Sequence, residues 1–511
     1  MRRPPVRLVL AALCVLLLAG CGTASAGQGD GRILRYGADL TPGGGPIFDP
    51  VQSSRSLTPN QNSWLDLIFD RLIYRDDDGT LRPGLLTKWE APDPLTAVLT
   101  VREGVRFQDG TPLDAEALRF NWERALAEPT LSKPPDFRAF ASMEVVSPLA
   151  LRLHYKAPVT AYAFNVTFTR SSAFGQIASP TAVRDLGAGL NAAPVGAGPY
   201  RFERLDRGAL LSVRRWDGYW DPAAQHLDGV DFVQNGRGAP MISALAAGRI
   251  DLAPVSLSDI PVVESREGLG TLVKPGNEVL YFQMRLDRPP FSVPGVREAL
   301  SWAFDRSMVN DVAYAGAGQP TQTMYYPGSP YHSTELEGSP RYDPVRAREM
   351  LAAAGYPDGF RIGMLVQNQP VMVAAAEVLQ AQLDQIGVEV EINVSPNYIN
   401  DALAKPDSIM ASTVNYSVPD SFLVSKARLG LGYSSAAFDA AYAATLGATD
   451  REAEIAANTA LQSVEVADKP MLFLAQEPIA VGMRAEVGGV TEVRGDLEGP
   501  DLRNASLGPR P

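Results

Sequence analysis

Residues 371–392 read VMVAAAEVLQAQLDQIGVEVEI. Apolar side chains recur at helical spacing from about Val371 and the pattern stops at Gly387, a residue suited to the left-handed turn that ends a helix. Val388, Val390 and Ile392 then alternate with Glu389 and Glu391, as in a strand with one buried face. Helix, glycine stop and strand make one α/β unit, and the same grammar extends outward in both directions. Asp343-Pro344 opens a helix carrying Met350, Leu351 and Ala354, with Gly355 as its stop. Pro294 suits a first helical turn, and Val296, Ala299, Leu300, Ala303 and Phe304 follow at helical spacing. Further upstream, Leu149, Leu151, Leu153 and Tyr155 alternate with Arg152 and His154 as a half-buried strand. Asp114 is placed to cap a helix bearing Ala117, Leu118, Trp122, Ala125 and Leu126, with Glu116 in its first turn. These elements predict an α/β fold of mixed type.

A chain of 511 residues is too long for one hydrophobic core, so two or three domains are expected. Its 45 glycines and 41 prolines imply many turns between short elements. The first 21 residues have their own logic. Arg2, Arg3 and Arg7 precede an apolar run, Leu8 to Leu18, that is too short to span a bilayer and suits a secretory signal. The run ends in Leu18-Ala19-Gly20-Cys21, which resembles a bacterial lipobox. That signal implies cleavage before Cys21 and a diacylglyceryl group on its thiol, so that fatty chains (palmitate) hold the protein to a membrane. A plain signal peptide with a coincidental cysteine is the alternative. Cys14, the other of two cysteines, lies inside the leader, so the mature chain has no internal disulfide. Residues 22–31 are small and polar and read as a flexible leash. With the leader's arginines gone, 43 basic side chains face 58 acidic ones, a formal charge of −15. Such a chain has no general attraction to nucleic acid or to an anionic bilayer.

No signature of enzyme chemistry stands out. There is no Gly-x-Ser-x-Gly elbow, no His-Glu-x-x-His helix and no phosphate loop ending in Gly-Lys-Ser/Thr. Gly196-Ala197-Gly198 is a fragment of a dinucleotide fingerprint, and Pro199 follows where a helix should open. His154, His226 and His332 lie far apart, without metal-ligand spacing. His154 reads as a strand residue facing water and the other two as loop residues. No metal or cofactor is expected. Carboxylates are plentiful, and nothing selects two of them as a glycosidase-like pair.

An ordered set of motifs runs from about Gly31 to Glu492. Ile68-Phe69-Asp70-Arg71-Leu72-Ile73-Tyr74 leads into Asp78-Gly79-Thr80-Leu81-Arg82-Pro83-Gly84-Leu85. Next comes LTVREGVRFQDGTPL, Leu99 to Leu113, physically a strand, a turn at Glu103-Gly104, a short strand and a turn at Asp109-Gly110. Gly196-Ala197-Gly198-Pro199-Tyr200-Arg201-Phe202, Trp216-Asp217-Gly218-Tyr219-Trp220 and Ala244 to Leu252 follow. Pro289-Pro290-Phe291, Ala303-Phe304-Asp305-Arg306 and Tyr342-Asp343-Pro344 continue the order. The chain resembles the family 5 extracellular solute-binding proteins, the receptors of oligopeptide, dipeptide and nickel ABC importers. It departs at Gln108, where the family commonly has His.

The resemblance implies a two-lobed, hinged type II periplasmic-binding-protein fold with mixed sheets and an extra N-terminal subdomain. Lobe I would comprise 32–59, 195–275 and 480–511, the accessory subdomain 60–194, and lobe II 276–479. The hinge would run near Leu272–Phe282 and Met471–Val481. It also implies a receptor that is not an enzyme, a monomer lipid-anchored on the extracytoplasmic face of the cell membrane. That receptor would capture a peptide-like ligand and deliver it to the ABC permease subunits. In peptide-binding members an Asp on a lobe II loop pairs with the ligand's amine. Here Asn415 takes that place, beside Tyr416, Asp420 and Phe422, with Asp420 a candidate to take over the role. Tyr416 and Phe422 read either as aromatic walls of the site or as core. Arg285 stands where the family usually has Asn, and reads either as a surface arginine or as a guanidinium directed into the cleft. Asn415 and Arg285 together imply a ligand with anionic character and no buried amine. A non-peptide solute (sugar conjugate, siderophore or metal chelate) stays open, as do a lipid-anchored hydrolase and a sensor on the same fold.

Overall fold

The computed structural model describes residues 32–509 apart from 42–44, 54–60, 77–79, 130, 132–136, 138–139, 158–166, 170–171, 326–328, 330, 339–340, 405–406, 415–431, 434, 449 and 491–498. The local signals read from the sequence appear as written. Asp114 caps the helix Ala115–Ala127 by accepting from the amide of Ala117. Pro344 opens the helix Pro344–Ala353, capped by Asp343. The helix Pro370–Asp384 passes through Gly387, at a φ of 84°, into the strand Val388–Ser395. That left-handed φ is available to glycine at little cost.

Eleven strands form one mixed sheet. On the first side, Ile33–Ala38 lies parallel to both Gly229–Gln234 and Leu252–Val255, and the antiparallel strands Leu210–Arg215 and Tyr200–Asp206 complete the edge. On the other side, Phe360–Gln367 lies parallel to Val388–Ser395 and to Ser408–Val414. Two long antiparallel strands, Leu269–Met284 and Met471–Arg484, belong to both sides and join them. Each expected crossover segment lies within one of these strands.

The apolar clusters divide along the same line. One packs Leu34, Tyr36, Trp64, Phe69, Tyr200 and Phe232 on the lobe I part of the sheet. Another packs Phe282, Leu300, Tyr314, Met364 and Leu379 on one face of the lobe II part, and a third packs Tyr281, Tyr325, Phe438 and Phe473 on the opposite face. The helix Gln61–Phe69 contributes its Trp64 and Phe69 to the lobe I core. A separate antiparallel sheet, in the order Leu86–Asp93, Thr96–Val101, Ala150–Tyr155, Phe140–Ser147, carries its own core. In it Trp122 stacks on Phe168 at 5.3 Å. Truncating such a buried indole costs about 3–5 kcal/mol. This is a mixed α/β, two-lobed structure with an extra sheet domain.

Several motifs turn out to fasten that extra domain. The amide nitrogen of Gln108 lies 3.0–3.2 Å from the carbonyls of Ile68, Gly198 and Tyr200, and its oxygen accepts from Gly196. Gly196 and Gly198 press on the helix Gln61–Phe69. An added Cβ would lie 2.2 Å from the carbonyl oxygen of Ile68 and 2.4 Å from that of Leu67 respectively. The Gly-Ala-Gly run is therefore a packing device. Buried Asp70 gathers the hydroxyls of Tyr74 and Tyr219 and the indole N–H of Trp220, joining two distant motifs. Burial pushes the Asp70 carboxyl up, against the opposing pull of Arg503. The Arg503 guanidinium lies 4.7 Å from the Tyr74 ring and brings the C-terminal segment into the same cluster.

Candidate functional site

Strand direction locates the site. In lobe I, Val255 pairs with Ala480, two residues from the point where Pro275 faces Pro478 across the crossover. The C-terminal ends of Ile33–Ala38, Gly229–Gln234 and Leu252–Val255 therefore all open toward the crossover. In lobe II, Val414 pairs with Glu278 at the crossover, while Ser408 pairs with Met284 at the far end. Gln367 and Ser395, at the C-termini of strands parallel to Ser408–Val414, open on the same edge. Carboxyl ends of parallel strands are where open α/β sheets receive ligands, because no strand or helix fills the space beyond them. Here two such edges face each other.

On the lobe I edge, Asp39 accepts from the Thr41 hydroxyl at 2.8 Å and from the Gln234 amide at 3.3 Å. Burial works to raise its pKa, but those hydrogen bonds and nearby Arg237 prevail and hold the carboxyl below its ordinary value. Gln234 also accepts from the backbone of Leu40 at 2.5 Å, which ties two strand ends together. Leu257, just past the third strand end, packs against the lobe II core and bridges the lobes.

At the crossover itself the ladder is interrupted. Pro275 and Pro478 face each other, so neither backbone offers a donor, and the register shifts between Pro275 and Val279. Gln476 spans the gap from its side chain, donating to the carbonyl of Gly276 at 2.6 Å.

Of the residues singled out from sequence, Asn415, Tyr416, Asp420 and Phe422 lie outside the described residues, as does Cys21. What is described is the strand that precedes them, whose last residue sits at the crossover. Arg285 follows Met284 at the opposite end of the first crossover strand, about 20 Å from Val279 at roughly 3.3 Å per residue. Its guanidinium donates twice to Asp287, at 2.7 and 3.1 Å. Among the described residues no group of three or more His, Cys, Asp or Glu side chains is placed to hold a metal. His154 pairs weakly with Glu144 at 3.8 Å, and the His332 ring contacts the carbonyl of Tyr325. No described helix is long and apolar enough to cross a membrane.

Two lobes joined by paired crossover strands, with facing strand ends, define the type II periplasmic-binding-protein class. Comparison with known proteins narrows this. Residues 80–427 match the family described as bacterial extracellular solute-binding proteins, family 5 (middle region). The glutathione-binding protein GsiB of Shigella flexneri is 27% identical over 390 residues, 75% of this chain and 72% of that protein. A dipeptide-binding protein from Pseudoalteromonas sp. SM9913, solved with Met-Leu, superposes with a TM-score of 0.74 at 22% identity, covering 93% of this chain and 100% of that one. NikA from Brucella suis, solved with Fe(III)-EDTA, superposes with a TM-score of 0.79 at 20% identity, covering 93% and 99%. The chain belongs to the family 5 extracellular solute-binding proteins and is a substrate-binding protein of an ABC importer, in a family of transport receptors.

Proposed function

We propose that this protein is a lipid-anchored receptor, held at Cys21 on the extracytoplasmic face of the membrane. It captures a peptide-like solute between its lobes and delivers it unchanged to the permease. The observation that carries the reading is the convergence of parallel-strand C-termini from both lobes on one crossover. Support for a peptide-like solute comes from the resemblance to a glutathione-binding relative. The segment after Val414, with Asn415, Tyr416, Asp420 and Phe422, supplies lining for the ligand. Closure around it excludes water and strengthens each polar contact made there.

The ligand half of the proposal is tested by calorimetry of the full chain in detergent against neutral di- to pentapeptides. Saturable binding with the peptides recovered intact is expected. Hydrolysis of the peptides would replace the receptor with an enzyme. The anchor is tested separately by Cys21→Ser. The variant should leave the membrane fraction for the soluble one, and mass spectrometry should find diacylglyceryl on the wild-type N-terminal peptide. An unmodified wild-type cysteine would end the lipid-anchor reading.

A further inference from the structure

The last part of the chain lies across the joint between lobe I and the extra sheet domain. Leu502 and Ala505, 1% and 0% exposed, belong to the lobe I core with Trp64 and Phe69. Arg503, between them in sequence, turns to a different set of partners. Its Nε donates to the Tyr219 hydroxyl at 2.8 Å, and a terminal guanidinium nitrogen pairs with Asp221. The guanidinium lies 4.7 Å from the centre of the Tyr74 ring and 5.5 Å from that of Trp220. Trp220 packs against the core of the extra domain, and Tyr74 stands next to Ile73, which belongs to that core. The four residues from Leu502 to Ala505 therefore reach two cores. Both ends of the segment are fastened as well. The Ser63 hydroxyl donates to the carbonyl of Pro500 at 2.9 Å, and Ser506–Leu507 pairs antiparallel with Val487–Gly488.

Asp70 marks the same joint from the other side. Phe69 before it belongs to the lobe I core, and Leu72 after it to the core of the extra domain. Asp70 is 1% exposed and holds a φ of 65°, a left-handed conformation uncommon outside glycine and tolerated by Asp. Residues stay in such a conformation where their surroundings hold them there. Its carboxylate accepts from the Tyr74 and Tyr219 hydroxyls and the Trp220 indole, the same three rings that Arg503 lies against. Arg503 also brings the positive charge that opposes the burial of this carboxylate. A buried carboxylate stripped of its counter-charge keeps the cost of burial with nothing to offset it. The surfaces that receive Arg503 come from residues 70–74 and 219–221, far earlier in the chain, so the segment can seat only once both are in place.

We infer that residues 499–507 form a clasp that closes over this joint after lobe I and the extra domain have formed, with Arg503 as the pin that fixes one on the other. With the clasp open, the extra domain keeps its own core and its attachment through Gln108, but its orientation on lobe I is no longer held. Arg503 is thus a positioning residue, whatever solute the protein carries.

The test is hydrogen exchange, read by mass spectrometry on the full chain in detergent. Arg503→Met keeps most of the buried stem and removes the charge. Exchange should accelerate by about tenfold or more in Ile73–Arg75 and at residues 216–221, while the lobe II helix Pro370–Asp384 keeps its wild-type rate. Asp70→Asn removes the charge that Arg503 answers, so the double variant should exchange more slowly at the joint than Arg503→Met alone. A general loss of stability would show no such rescue. Equal acceleration in lobe II would make Arg503 an ordinary stabilising residue and overturn the clasp, as would unchanged rates at the joint. Failure of Asp70→Asn to rescue would overturn the charge pairing on which the pin rests. If Arg503→Met fails to fold, Arg503→Lys retains the charge and loses the planar fork. It should show the same local acceleration to a smaller degree, and unchanged rates there would overturn the inference.

Discussion

At the scale of single residues, the clearest liability is Glu465, on the helix Arg451–Asp468. It is 1% exposed, and neither carboxylate oxygen has a partner among the described residues. It lines a cavity of about 20 Å³, room for about one water, together with Arg306, Gln322 and Lys469. Burial raises its pKa well above the ordinary 4.5. The unfolded chain therefore releases this proton at a lower pH than the folded one does. Above pH 4.5 the native state holds the extra proton, so Glu465 subtracts stability increasingly as pH rises toward its folded pKa. Glu465→Gln removes the titration and keeps the shape. Its gain over wild type in unfolding free energy, read by urea titration, should be larger at pH 8 than at pH 5, reaching about 1–3 kcal/mol. A gain independent of pH would show that Glu465 does not titrate differently in the folded state. Nothing in the sequence marks this residue, because Glu465 sits in an ordinary helical run and its burial is decided by neighbours far along the chain. Arg285 shows the same limit from the other side. Its identity was visible, but only strand direction places it at the end remote from the crossover.

At the scale of elements, what was legible was what is local. A cap such as Asp114 acts over three residues and a stop such as Gly387 over one, so both could be read in place. The half-buried alternation of Val388 and Val390 fixed a strand face for the same reason. Gly196 and Gly198 could not be read that way, since their reason is the backbone of a helix about 130 residues earlier. Gln108 is legible only once that helix is in place, because all its side-chain bonds go to distant backbone. The contact gives a direct expectation. Gly198→Ala forces a methyl to within 2.4 Å of the Leu67 carbonyl. The helix must shift, at about 1–3 kcal/mol or more. Differential scanning calorimetry should show a lower melting temperature, and hydrogen exchange should speed up in the helix Gln61–Phe69. A neutral result would mean that helix and glycine turn are more loosely joined than the geometry states.

At the scale of the whole molecule, the lobes have separate cores and share a sheet whose longest gap in pairing lies between Pro275 and Val279. A sheet resists bending through its ladder of hydrogen bonds, so bending concentrates where donors are missing. Pro275 facing Pro478 removes two donors at the same level of the ladder, and the adjacent register shift leaves no compensating pair. Gly276 allows the chains to stay close there, since a Cβ would lie 2.4 Å from the Glu477 carbonyl. The geometry of the crossover thus makes a hinge out of two prolines and a glycine. A closed molecule of this length should have a radius of gyration of about 23 Å. Small-angle scattering of the ligand-free chain should give a larger value that falls toward this figure when neutral di- to pentapeptides are added. Restoring donors with the pair Pro275→Val and Pro478→Val should stiffen the crossover and reduce that fall, with the cores left untouched. If scattering from the double variant still contracts as the wild type does, the bend lies elsewhere.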